Sequence, residues 1–77
     1  MLEPNWIVRV NKSYGENTND YRFTGKVGFT VAHDNSIRVK IPNDPISYWF
    51  YESELDIIRK IDPKDSIELA ELDILSL

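Results

Sequence analysis

The chain has no cysteine. That excludes disulfides and cysteine-ligated zinc, and it fits a reducing, cytoplasmic setting. Histidine occurs once, at His33, and glycine three times. Neither Gly25 nor Gly28 stands at the strand-to-helix junction that a phosphate-cradling loop requires. No apolar run reaches the roughly eighteen residues that cross a bilayer, so no membrane contact is expected. The opening "MLEPNWIVRVNKS" lacks the basic-then-apolar order of a secretion leader, so none is expected. With 77 residues, the chain makes one small domain with a modest core.

Charge is unevenly spread. Residues 1–61 carry eight Lys/Arg and eight Asp/Glu, whereas residues 62–77 set Lys64 against Asp62, Asp65, Glu68, Glu71 and Asp73. The net charge of −4 therefore lies wholly in the last sixteen residues. The body, residues 1–61, is neutral, and residues 62–77 form an acidic C-terminal extension. Overall acidity argues against constitutive nucleic-acid binding, where phosphate contacts dominate affinity.

Two-residue alternation organises most of the body. "WIVRV" (6–10) reads as a strand, with Trp6, Val8 and Val10 on one face and Ile7 and Arg9 on the other. "NKSYGENTNDY" (11–21) is rich in short polar side chains that bond to nearby backbone, and it reads as a long loop. "TGKVGFTVAH" (24–33) reads as the second strand, with Val27, Phe29 and Val31 inward and a bulge or bend at its glycines. "SIRVKI" (36–41) is the third, with Ile37, Val39 and Ile41 inward and Arg38 and Lys40 outward. Asp34-Asn35 suits the tight hairpin between these two strands, because both residues tolerate left-handed torsions. "PNDP" (42–45) is a connection. "ISYWFY" (46–51) reads as an aromatic fourth strand. "ESEL" (52–55) reads as one helical turn, capped by Ser53 with Asp56 three residues on, and "DIIRKI" (56–61) as the last strand. "SIELAELDILSL" (66–77) fits neither period cleanly. A short helix and a bulged edge strand both remain open there, with helix favoured by its Glu, Leu and Ala. The inward set is Trp6, Val8, Val10, Val27, Phe29, Val31, Ile37, Val39, Ile41, Phe50, Leu55 and Ile57.

An aromatic residue, a glycine two later, another three after that and then valine, in "FTGKVGFTV" (23–31), resembles the KOW-type barrel motif at Phe23, Gly25, Gly28 and Val31. "YWFYESELDII" (48–58) resembles the closing segment of small SH3-like modules, in which an acidic turn after an aromatic strand carries a plugging leucine, here Phe50 and Leu55. The resemblance covers roughly residues 5–61. It implies a mainly all-β, five-stranded SH3-like small barrel, followed here by a short C-terminal helix or extra strand. Proline-rich peptide binding does not carry over, since the paired tryptophans and tyrosine-rich first loop of peptide-binding SH3 domains are missing. KOW modules often contact RNA or transcription and translation machinery, but their basic surface is only partly matched.

Four candidate functions follow from the residues. His33 beside Asp34 has the composition of part of a general base, but neighbouring residues at a strand end point apart and no nucleophile is placed nearby. A plain turn histidine is expected, with no enzyme activity, metal or cofactor. Arg9, Arg22, Lys26, Arg38 and Lys40 form an outward basic row that could hold nucleic acid with aromatic help, though such a row is also what a solvated sheet face looks like. Tyr14, Tyr21, Trp49 and Tyr51 are the candidate partner-binding set, because exposed Tyr and Trp bury much area with few rotors. Finally, the acidic extension interleaves carboxylates with Leu69, Leu72, Ile74, Leu75 and Leu77. It suits either packing on its own barrel or an amphipathic contact with a partner, and it is similar to small phage and mobile-element proteins that block nucleases or polymerases. The reading favoured is a non-enzymatic module that binds another protein, as a monomer or weak homodimer; nucleic-acid binding is the alternative.

Overall fold

The computed structural model describes residues 2–61. Five strands form one antiparallel sheet in the order β4-β3-β2-β1-β5: β1 (Trp6–Val10), β2 (Val27–His33), β3 (Ser36–Lys40), β4 (Ser47–Tyr48) and β5 (Leu55–Lys60). The protein is mainly β, as its alternating pattern predicts. β2 and β3 close through a two-residue turn at Asp34-Asn35, between paired His33 and Ser36. Asp34 there takes the left-handed torsion that the turn demands, φ 52°. A 3-10 turn (Glu52–Glu54) leads into β5. The fourth strand is shorter than its aromatic run suggests, since only Ser47 and Tyr48 pair with β3.

Residues 11–21 depart from the loop reading: Lys12–Thr18 form a helix, α1. Its ends explain why so polar a segment is helical. Asn11 caps the start, its side-chain oxygen accepting from the Ser13 N–H at 2.9 Å. Asn19 ends it in the left-handed region at φ 56°, donating its N–H to the Gly15 carbonyl. Tyr14 anchors the helix in the core through edge-to-face contacts with Phe23 and Phe50, at centroid distances of 5.9 and 5.0 Å.

The sheet buries apolar side chains on both faces. Pairing of Val8 with Gly28 and of Thr30 with Val39 fixes the register. One face carries Trp6, Val8, Val10, Val39 and Leu55, which pack with Phe23, Ile41 and Phe50 as the main core. The other carries Ile7 and Phe29, packed with Ile61 and flanked by Val27 and Val31. This corrects the expected inward set. Because Ile7 stands opposite Phe29, the Val27–Phe29–Val31 row lies on the far face from Trp6, Val8 and Val10. Gly28 and Thr30 take the inward positions instead. Gly28 sits there for proximity: a Cβ at this position would fall 2.6 Å from the Lys40 carbonyl oxygen. Of the bulge or bend expected at the β2 glycines, the bend is present at Gly25, which turns at φ 83° just before the strand, whereas the irregularity in the ladder lies in β5, where the register against β1 shifts between Ile7 and Val8. Ile57, expected in the core, stands opposite Val8 but is exposed.

Thr30 is buried, and its hydroxyl joins two strands. Oγ1 accepts from the Trp6 N–H at 2.9 Å and donates to the Glu3 carbonyl at 2.6 Å. The start of β1 is thereby fixed to the middle of β2. The expected helix or strand over 66–77, the acidic extension and its apolar residues lie outside the described residues.

Candidate functional site

After Tyr48 the chain leaves the sheet, and its next three residues divide. Phe50 turns into the core, where it is 3% exposed, while Trp49 and Tyr51 stay out at 51% and 60%. The alternation expected of an aromatic strand therefore survives although the strand itself has ended. The two exposed rings meet edge-to-face, with centroids 4.5 Å apart and planes at 73°. Beneath them is a hollow of about 380 Å³, lined by Leu2, Asn35, Ser36, Ile37, Trp49, Phe50, Tyr51 and Glu52. The β2–β3 hairpin forms one wall of this hollow and the entry to the 3-10 turn forms the other.

Glu54 holds the second wall in place. It is buried, and its carboxylate accepts the Tyr51 N–H at 2.6 Å while the Glu54 N–H returns to the Tyr51 carbonyl at 2.9 Å. The carboxylate also accepts from Asn17 Nδ2 at 3.4 Å. The Glu54 carbonyl in turn accepts the Asn11 N–H at 2.9 Å, so α1 braces the segment that presents Tyr51. The helical turn thus starts two residues earlier than expected, at Tyr51 with Glu54 reaching back, and not at Ser53 with Asp56. Asp56 instead accepts from Asn11 Nδ2 at 3.2 Å.

The four candidate aromatics separate. Trp49 and Tyr51 share the hollow. Tyr14 is half-buried in the core contacts already described. Tyr21 is exposed, but its ring lies against Gly15 of α1. Six lining residues, Leu2, Asn35, Ser36, Ile37, Phe50 and Glu52, lie outside the partner-binding set expected from the sequence, as does the bracing role of Glu54. The one available signal was Glu54 three residues after Tyr51, the spacing at which an acid reaches back to a helix start.

The basic row also separates. Arg9, Arg38 and Lys40 stand on the Phe29 face, because Arg9 pairs with Val27, Phe29 with Lys40 and Val31 with Arg38. Lys40 Nζ donates to the Asp44 carbonyl. Arg38 is half-buried, and its Nε finds no hydrogen-bond partner among the described residues. Arg22 is engaged elsewhere: it holds both Asp20 oxygens, the closest at 2.8 Å, and its guanidinium lies 5.5 Å from the Phe23 ring centroid. That bidentate contact lowers the Asp20 pKa and raises that of Arg22. Lys26 is exposed just before β2. The five cations do not gather into one patch. His33 sits in the hairpin turn, exposed, with Nδ1 3.5 Å from Asp34 Oδ2.

Among the described residues, no group of three or more His, Asp or Glu side chains is placed to hold a metal ion, and no helix is long and apolar enough to cross a membrane. No protein family, curated protein or solved structure matches the chain.

Proposed function

We propose that this protein is a non-enzymatic binding module that docks another protein on the Trp49–Tyr51 hollow. The observation that carries the reading is the pair of exposed rings over a concave, largely apolar floor, held from behind by Phe50 and Glu54. Large aromatic side chains exposed together are costly to leave in water and are the residues most often central to protein interfaces. In this reading the fold is an SH3-like barrel. The strand order and the 3-10 turn directly before the last strand support it, in line with the resemblance at Phe23, Gly25, Gly28, Val31, Phe50 and Leu55. The acidic extension supplies a second contact, which suits a small cytoplasmic regulator or inhibitor of the kind that mobile elements carry.

The test is retention of a partner from host extract by the wild-type protein and by Trp49→Ala, with thermal melting of both recorded. Loss of the partner with an unchanged melting point supports the reading. Undiminished retention by Trp49→Ala would overturn it. Salt separates the alternative: affinity that falls steeply and log-linearly with salt marks phosphate binding through the basic residues.

A further inference from the structure

We infer that the acidic extension, residues 66–77, seats against the Phe29 face of the sheet and closes it. The inference goes beyond the docking reading and does not depend on it; the outer side of the extension remains for a partner. It begins from a burial that the described elements leave unexplained. Ile7 is 1% and Phe29 3% exposed, yet both stand on the face opposite the main core. Among the described residues their cluster draws only on β1, β2 and Ile61. Tyr14 of α1 and Phe50, beside the 3-10 turn, pack into the main core on the other side. The uncovered face of an antiparallel sheet ordinarily carries polar side chains, and a phenylalanine there would be wet. The burial of Phe29 is reached within a single chain, so the cover belongs to the chain itself.

Position, length and chemistry all point to the extension. The described chain ends at Ile61, itself a member of the second cluster, and residues 62–65 lead from there to the segment. Twelve residues reach about 18 Å as a helix and about 40 Å as a strand. Neighbouring strands lie about 5 Å apart, so either form is long enough to cross β1, β2 and β3. The segment offers Leu69, Leu72, Ile74, Leu75 and Leu77 to the apolar centre of the face. Around that centre the face is basic: Arg9 stands opposite Val27, and Arg38 opposite Val31. Neither has a carboxylate partner among the described residues, and Arg38 Nε is buried without an acceptor. Burying such a donor unpaired costs free energy, and a carboxylate is the acceptor that a guanidinium takes best. The segment carries Glu68, Glu71 and Asp73 and no Lys or Arg. An apolar and acidic segment thus complements an apolar and basic face. Seated there, it also withholds Arg9 and Arg38 from the phosphates of nucleic acid.

Paramagnetic broadening in the isotope-labelled full chain tests this. Because the chain has no cysteine, a nitroxide can be attached at a single introduced one, by Ser66→Cys or Ser76→Cys, at either end of the segment. The same protein with the nitroxide reduced is the reference. Between them the two labels are expected to remove most of the methyl signal of Ile7, Val27 and Val31, while the indole N–H of Trp49, in the hollow on the other face, keeps most of its own. A mixture of spin-labelled, isotope-free protein with isotope-labelled, spin-free protein is expected to show no such loss, since the contact lies within one copy. Methyl signals of the Phe29 face that survive both labels overturn the inference. A loss centred on Trp49 also overturns it, since the extension would then occupy the hollow. A loss seen in the mixture would make the cover the extension of a second copy, which likewise overturns it. The docking reading is judged separately, by the Trp49→Ala retention result.

Discussion

Thr30→Val isolates what the buried hydroxyl contributes. The substitution keeps the side chain's branched shape and removes only its hydrogen bonding. Two groups lose their partner: the Trp6 N–H, held at 2.9 Å, and the Glu3 carbonyl, held at 2.6 Å. Thr30 is 0% exposed, so water cannot replace the hydroxyl at the Trp6 amide without opening the β1–β2 pair. A buried donor left unsatisfied costs about 1–3 kcal/mol, and the net loss of an ordinary hydrogen bond about 1 kcal/mol. The Glu3 residue is exposed and can turn its carbonyl to solvent, so the smaller figure applies to it. The expected loss is about 2–4 kcal/mol, a large share of the roughly 4–11 kcal/mol that a domain of this length possesses. Thr30→Ser is the matched control: it keeps both hydrogen bonds and loses one buried methyl, at about 1 kcal/mol. Urea unfolding followed by tryptophan fluorescence measures both. Thr30→Val should be the less stable of the two, with a melting point lower than wild type by on the order of 10–20 °C. A Thr30→Val protein as stable as wild type, or more stable than Thr30→Ser, would refute the claim that this hydroxyl ties the strands together.

Other substitutions test other parts of the structure. Gly28→Ala puts a methyl 2.6 Å from the Lys40 carbonyl oxygen and 2.8 Å from Val39 Cγ1; the β2–β3 pair must separate, and a loss of about 1–3 kcal/mol is expected in the same urea assay. Glu54→Ala removes the acceptor of the Tyr51 N–H and the tie to Asn17, and it should lower stability by about 1–3 kcal/mol while speeding hydrogen exchange at the Tyr51 amide. Tyr48 donates its hydroxyl to Asp44 at 2.8 Å, and this bond to the neutral phenol raises its pKa. A raised folded-state value adds stability below the unfolded tyrosine pKa and loses it as pH climbs through the folded one, so Tyr48→Phe should flatten the alkaline limb of the stability profile. Asp20 behaves oppositely: its pKa is lowered by Arg22, so its contribution is present at neutral pH, falls away in acid as the folded-state pKa is crossed, and disappears from the acid limb in Asp20→Asn.

The strands and the Asp34-Asn35 turn were legible because each rests on local pattern: alternation for the strands, left-handed tolerance for the turn. The helix at Lys12–Thr18 was hidden because its interior is polar and contains Gly15; its stability comes from Asn caps at both ends and from Tyr14 reaching the core, and only the caps are written locally. The direction of the β2 row could not be read from alternation alone. Period two states that Val27, Phe29 and Val31 share a face, but which face depends on register against β1, and both faces of this sheet hold apolar residues. Two clues pointed to the answer: "WIV" at 6–8 is apolar on consecutive residues, as a strand buried on both sides must be, and Gly28 opposite Val8 marks a close approach on the inner side. At the candidate site, the outward pairing of Trp49 and Tyr51 around Phe50 followed from alternation. The rest of the hollow depends on Leu2 and the 35–37 segment, at least twelve positions away in the chain.

Only Val39↔Tyr48 and Lys40↔Ser47 join β4 to the sheet. The aromatic segment is thus tethered by a ladder two rungs long, by the plug of Phe50 and by the Glu54 carboxylate on the Tyr51 amide, not by a continuous row of backbone bonds. The amides of Trp49 and Phe50 should open to solvent at far lower free energy than those of β1 and β2. If the hollow docks a partner as proposed, its mouth can adjust in width while the remainder of the sheet stays in place, so that docking there becomes a matter of local breathing against a stiff frame.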